Sequence, residues 1–190
     1  MTKTDQSPYS VEGLLPQDFI YSLGVYLQTC AHIEQTSCVL LSSLDTADIN
    51  TQAWLDRFNI CRKMGAKDLL KELKKANVSA EKHGFGNELE ELRLWIEQYT
   101  ENRHIAVHGA FVCSPSGFLR VDYVKKRKSG DCITYENIRV PVTKELVDQL
   151  ISDADRIYKI LLGMICQIDP SLPSKFPHRI FPVVEHPSGH

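Results

Sequence analysis

Residues 88–111 read ELEELRLWIEQYTENRHIAVHGAF, and the fold turns on how that stretch is read. Leu89, Leu92, Ile96, Tyr99, Arg103 and Ala106 recur at three- and four-residue spacing, which places them on one stripe of an amphipathic helix. Gly109 stands where that helix is expected to stop, as a C-terminal glycine. Arg103, His104 and His108 therefore fall on the last turns of a helix. A five-residue separation on a continuous helix turns two side chains apart by about 140° and along by about 7.5 Å. One helix does not easily aim Arg103 and His108 at one point. Two such helices packed across a two-fold axis do, because an isologous pair brings the arginine and histidine of each protomer near those of the other.

Upstream, QDFIYSLGVYLQTCAHIEQTSCVLLSSL (17–44) carries Phe19, Leu23, Tyr26, Cys30, Ile33, Ser37, Leu40 and Leu44 in helical phase, a long amphipathic helix after Pro16. The next segment has Trp54, Leu55, Phe58, Cys61 and Met64, then Leu69, Leu70 and Leu73, with Gly65 between them, so two shorter helices are predicted. KHGFGN (82–87) reads as a loop. Downstream of Gly109 the period changes to two: Leu119, Val121 and Tyr123 alternate, as do Ile133 and Tyr135, with Ile138 and Val140 following after a slip in register. SPSG and RKSGD supply the turns. Thr143 is a natural N-cap for a last helix with Leu146, Leu150, Ala154, Ile157, Leu161, Met164 and Ile168 in phase. The reading is thus mainly α: an up-and-down bundle of four to five helices, with a small antiparallel β-hairpin or meander before the last helix. Residues 1–16 form an N-terminal segment and residues 17–168 the helical domain, with the β insertion at about 110–141. Residues 169–190 form a tail whose prolines cannot continue a helix.

Composition narrows the function classes. The chain has 190 residues, 43% hydrophobic and 24% charged, as one ordinary globular domain does. A net charge of -2 and a pI near 6.4 advertise no global basic field for nucleic acid or membrane, so any such surface is local. No signal-peptide pattern opens the sequence, and no apolar run approaches the ~18 residues of a membrane span. A cytoplasmic protein without a membrane partner is expected. The six cysteines, Cys30, Cys38, Cys61, Cys113, Cys132 and Cys166, form no C-x-x-C pair and read as reduced core thiols without bridges. P-loop, dinucleotide G-x-G-x-x-G and G-x-S-x-G motifs are missing.

With its R-x4-H arrangement on the last turns of an amphipathic helix, followed by one more long helix, ENRHIAVHG resembles the HEPN (higher eukaryotes and prokaryotes nucleotide-binding) family. Arg103 and His108 match the family signature R-x4-6-H, and His104 occupies the polar position that is often asparagine. The resemblance covers approximately residues 17–168 and is carried by the motif and the helix order. It implies a metal-independent RNA endonuclease that acts as a homodimer in toxin–antitoxin, phage-defence or RNA-processing systems, needs no cofactor, and leaves a 2',3'-cyclic phosphate and a 5'-hydroxyl. An antitoxin or other regulatory protein is the partner such systems imply. The alternative is a non-catalytic HEPN-like dimerisation or RNA/nucleotide-binding module. The R-x4-H-x-Y extension of one antitoxin-paired branch is not present: Ala110 stands at the tyrosine position.

The residue chemistry fits. A histidine titrating near neutrality suits general acid or base work on a 2'-hydroxyl, a role for His108. A guanidinium offers permanent, bidentate donors to phosphate oxygens, a role for Arg103. Glu34, near the apolar stripe of the first long helix, is expected to be buried and to hold Arg103 in its rotamer. Asn102 and His104 are the other supporting residues, Asn102 as a donor to phosphate or a backbone cap. Arg120, Lys125, Lys126, Arg127 and Lys128, interleaved with Tyr123 and Tyr135, form a candidate RNA-binding ribbon, offset by Asp122, Asp131 and Glu136. The bland reading of that ribbon is a solvated hairpin tip. His104 and His108 at i,i+4 also match the spacing of two metal ligands, but Ile105 stands where H-E-x-x-H has its glutamate, and His83, His178 and His186 lie in loops or tail. No resident metal is expected.

Overall fold

The computed structural model describes residues 14–46, 48, 51–130 and 132–170. The first thirteen residues of the N-terminal segment, Asp131, and the proline-bearing tail beyond Pro170 lie outside the described residues. The chain runs through α1 (Gln17–Asp45), α2 (Gln52–Cys61), α3 (Ala66–Lys82) and α4 (Gly86–His108), then β1 (Ala110–Cys113), β2 (Leu119–Ser129) and β3 (Cys132–Pro141), and ends in α5 (Lys144–Ile168). The protein is mainly helical with a small three-stranded antiparallel sheet, as the sequence patterning implies. Among the described residues no helix is long and apolar enough to cross a membrane.

α1 is the central element and packs against α2, α3, α4 and α5. Its first half buries one stripe, Phe19, Tyr26 and Cys30, whereas every residue from Thr36 to Leu44 is buried. An all-round buried helix must satisfy its polar groups internally. Ser37 Oγ donates to the Ile33 carbonyl and Ser42 Oγ to the Cys38 carbonyl, each at 2.8 Å, and Ser43 Oγ accepts from Trp54 Nε1 at 3.1 Å. Around these lie Leu73 and Ala80 of α3, Leu89 and Leu92 of α4, and Ala154, Ile157 and Leu161 of α5, forming one core.

Local signals set the helix boundaries. Thr51 Oγ1 accepts from Trp54 N at 3.3 Å and Thr143 Oγ1 from Leu146 N at 3.2 Å, so α2 and α5 start on hydroxyl caps. Gly65 is the N-cap immediately before α3. α4 does end at Gly109, but for a different reason from a left-handed cap. Gly109 has φ -76 and ψ 145, which any residue can adopt. A Cβ there would collide with Val121 Cγ2 and fall 2.6 Å from the Ile105 carbonyl oxygen. The glycine is required because the end of α4 and strand β2 touch.

The sheet order is β1-β2-β3, and the β2–β3 register runs without interruption from Arg120↔Pro141 to Ser129↔Cys132. The expected register slip between Tyr135 and Ile138 is therefore not found. Directly paired residues share a face, so Val121, Tyr123, Ile138 and Val140 lie together, while Val124, Lys126, Ile133 and Tyr135 occupy the opposite face. Val121 is buried; Val124, Ile133 and Tyr135 are exposed. The apparent slip in the sequence is a change in which face carries apolar side chains. Phe111 of β1, 5.0 Å from Phe19 between ring centroids, ties the sheet to α1. The cysteines are free as expected, but only Cys30, Cys38 and Cys61 are core thiols; Cys132 is exposed and Cys113 and Cys166 are half-buried.

Candidate active site at the end of α4

The last two turns of α4 present different side chains to different neighbours. Arg103 reaches back to α1, where its Nη1 lies 3.3 Å from Glu34 Oε1. Both side chains are about a third exposed, 36% and 39% respectively, so Glu34 is not the buried carboxylate that its place near the apolar stripe suggested. Its reach to solvent follows from its position one turn beyond Cys30, on the flank of the stripe.

Directly below the pair is a buried polar cluster, in which the Tyr26 hydroxyl has no hydrogen-bond partner among the described residues. Tyr99, one turn before Arg103 on α4, donates from its hydroxyl to Cys30 Sγ at 2.7 Å, and the Tyr26 and Tyr99 rings meet edge-on at 5.5 Å. Tyr26, Cys30 and Glu34 are spaced by four on α1, as Tyr99 and Arg103 are on α4, so two helical ridges meet rung by rung. Burial raises the Tyr26 and Tyr99 hydroxyls and the Cys30 thiol above their ordinary values, although the Arg103 charge works in the opposite direction on Tyr26 and Cys30. All three stay neutral near pH 7. The anionic partner of Arg103 is thus Glu34, with a rigid neutral floor beneath both.

His104 and His108 face the other way. Their rings lie edge to face with centroids 4.5 Å apart, and His104 also meets the Tyr123 ring of β2 at 5.7 Å, nearly perpendicular. Both histidines are exposed. Burial, then the neighbouring His108 and Arg103, holds the His104 imidazole below its ordinary value. Lys125, two residues beyond Tyr123 on the same face of β2, pairs with Glu101, so the strand is clipped along α4 at three levels: Val121 on Gly109, Tyr123 on His104 and Lys125 on Glu101. A single chain therefore offers an arginine directed to α1 and a histidine pair beside the ribbon, as the helical rotation requires.

Asn102 belongs to neither group. It lines two hollows that flank it, one of about 200 Å³ with Trp95, Gln98 and Arg156, the other an apolar groove of about 260 Å³ with Phe19, Leu23 and Leu150. Among the described residues its side chain makes no hydrogen bond to Arg103, His104 or His108.

The basic ribbon divides by strand face. Arg120 pairs with Asp122, Lys125 with Glu101 and Arg127 with Glu136. Lys126 and Lys128, on the same face as Arg120 and with Tyr135 and Ile133, have no ion pair among the described residues, whereas Lys125 and Arg127 lie on the other face. The five cations are thus not one continuous surface. The contribution of Tyr123 was the least visible in the sequence: alternation placed it on a strand, but only the packing of β2 on α4 sets its ring against His104.

Among the described residues no group of three or more His, Cys, Asp or Glu is gathered as a metal site. In comparisons with protein-family models, with curated proteins and with solved structures, nothing matches the chain.

Proposed function

We propose that the protein is a metal-independent endoribonuclease of the HEPN type that works as a homodimer, the R-x4-H motif of each chain supplying half of a site. The observation that carries this reading is the Arg103–Glu34 ion pair: a guanidinium 3.3 Å from a carboxylate, above a neutral aromatic and thiol floor, on the same helix end as an exposed histidine. Within one chain the arginine and the histidine point to different neighbours, so the reading needs the second protomer to bring them together. Here Arg103 keeps about a third of its surface open, enough for a phosphate oxygen to reach the donors not used by Glu34.

In the proposed step His108, as neutral imidazole, takes the proton of an RNA 2'-hydroxyl as that oxygen attacks the adjacent phosphorus. A P–O2' bond forms and the P–O5' bond breaks, giving a 2',3'-cyclic phosphate, and the leaving 5'-oxygen takes a proton from the imidazolium of the second protomer. Arg103 balances the charge that accumulates on the non-bridging oxygens. Tyr123 limits the rotation of His104, and His104 in turn borders the His108 ring. A role in toxin, phage-defence or RNA-processing systems is part of this reading, with an antitoxin or other regulatory protein as the partner.

The test is incubation of the purified full chain with structured and unstructured RNA in EDTA. Wild type cleaves to cyclic-phosphate ends, Arg103→Ala and His108→Ala lose roughly 10²-fold or more of the rate, and Glu34→Gln loses less because it removes only the charge beside Arg103 and not the guanidinium itself. Equal cleavage by wild type and both alanine variants, or no cleavage of any RNA, rejects the enzyme and leaves the non-catalytic binding module. A chain that sediments as a monomer at active concentrations rejects the shared site.

A further inference from the structure

We propose that His104 and His108 form a two-point chelate for an exchangeable transition-metal ion of the zinc class, distinct from a resident metal centre. The two residues are one turn apart on α4, so both imidazoles leave the same helix face, and their centroids are only 4.5 Å apart with the rings at 63°. Zinc–nitrogen bonds of about 2.0–2.1 Å put two ligand nitrogens on a tetrahedral edge roughly 3.4 Å apart, a separation that rings already in contact reach by small side-chain rotations. Imidazole is a ligand of choice for zinc, copper and nickel and a poor one for magnesium.

The neighbours favour the same geometry. Tyr123 packs against His104 at 87° and restrains that ring, which lowers the ordering needed on binding. Both histidines are exposed, so an ion enters without local opening. Glu101, one turn earlier on the same face, is held by Lys125 and is not free to complete the shell. Water fills the remaining positions, which makes the site exchangeable. It is peculiar to the histidine at position 104: a polar residue without a ring nitrogen there leaves a single imidazole.

Under the nuclease reading of the preceding subsection, and resting on it, a metal-bound His108 has no lone pair for the 2'-hydroxyl proton, so the ion is an inhibitor. The binding itself does not depend on that reading.

The experiment titrates the full chain with zinc chloride, followed by calorimetry and by the histidine ring-proton NMR signals, with magnesium chloride as the control ion. His104→Asn, His108→Asn and, as an exposed histidine elsewhere, His83→Asn are compared with wild type, each checked for native circular dichroism. The result expected is saturable zinc binding that broadens the His104 and His108 ring signals together. It is weakened at least about tenfold in either of the first two variants, since a second ligand on the same face acts at high effective concentration, and is unchanged in His83→Asn and absent with magnesium. Unchanged zinc affinity in His104→Asn or His108→Asn, or ring signals that do not respond in wild type, overturns the chelate. RNA cleavage is read separately: Arg103→Ala is expected to bind zinc as wild type does while failing to cleave. Should wild type cleave no RNA, the titration still decides the chelate; should it cleave, zinc inhibition that His104→Asn escapes ties the two together.

Discussion

Two regions flank α4 and hold charge in contrasting ways. On the α1 side, Arg103 and Glu34 sit over Tyr26, Cys30 and Tyr99, which are nearly inaccessible and whose positions are fixed by the core. On the ribbon side, Lys125 and Arg127 are matched with Glu101 and Glu136, Arg120 and Arg139 share the partly buried Asp122, and few of the strand residues beyond Val121 are packed. The first arrangement derives its precision from packing, the second from local charge balance. A side chain that must meet a substrate phosphate in one orientation belongs on the first. A ribbon of solvated pairs tolerates change and can bind only through what is left unpaired, chiefly, among the described residues, Lys126 and Lys128 beside Tyr135.

The strongest way to break the comparison is to truncate one apolar residue on each side. Leu40 of α1 is fully inaccessible, whereas Ile133 of β3 is 48% exposed. Leu40→Ala is expected to cost about 2–5 kcal/mol, from lost burial plus the cavity left among rigid neighbours. Ile133→Ala should change stability by no more than about 0.5 kcal/mol, as surface substitutions do. Urea unfolding of both variants checks this, and comparable midpoint shifts would show that the ribbon is as tightly packed as the bundle.

The second prediction concerns the joint between the regions. Gly109→Ala places a methyl group against Val121 Cγ2 and the Ile105 carbonyl. Relief requires β2 to move off the end of α4, at about 1–3 kcal/mol for overpacking of this kind. Val121→Ala added to it removes only the side-chain half of the clash, so it should restore stability in part. A thermal melt of Gly109→Ala identical to wild type would contradict the close approach. Because Tyr123 follows Val121 on the same face, the same variant should also weaken the ring contact at His104, visible in the histidine ring shifts.

Much of the bundle was readable from periodicity because each helix buries one stripe: Leu89, Leu92, Ile96 and Tyr99 of α4 are all buried, as are Ala154, Ile157, Leu161 and Met164 of α5. The Thr143 cap was readable from its chemistry, whereas the Thr51 cap emerged only from the structure. The full burial of Thr36–Leu44 was not, because Ser37, Ser42 and Ser43 look polar until their hydroxyl partners are known. The role of Gly109 was not either, since a helix-ending glycine in sequence does not distinguish a left-handed cap from a close approach. At the candidate site, helical spacing gave the divergence of Arg103 from His108, and the Arg103–Glu34 contact lay within reach of a guess from charge and stripe. The Tyr123–His104 contact and the division of the basic ribbon into two faces depend on how β2 docks, which no local pattern encodes. The alternation of Ile133 and Tyr135 against Ile138 and Val140 even suggested a slip, since apolar residues on an exposed face carry the same period as buried ones.

The smallest effect sharpens the comparison from the ribbon side. His104 titrates below its ordinary value through burial and then the charges of His108 and Arg103, so the folded protein binds less proton at this site than the unfolded chain does. The unfolded histidine has a pKa of about 6.5. Where the unfolded state binds more protons, stability rises with pH, so this contribution is complete above about pH 6.5 and is lost as pH falls through the folded value. Glu72 and Glu90, lowered mainly by hydrogen bonds from Lys75 and Arg93, carry the same sign in the carboxylate range, at more acidic pH. The two ranges separate by variant: His104→Asn should flatten the stability profile just below about pH 6.5 and leave the carboxylate limb, at more acidic pH, in place. Chemical denaturation at half-unit steps for wild type and His104→Asn measures this directly. Parallel profiles through that window would mean that the His104 ring, despite Tyr123 and His108 beside it, is as solvated as the outer face of the ribbon, and the contrast between the two flanks of α4 would then extend to the motif itself.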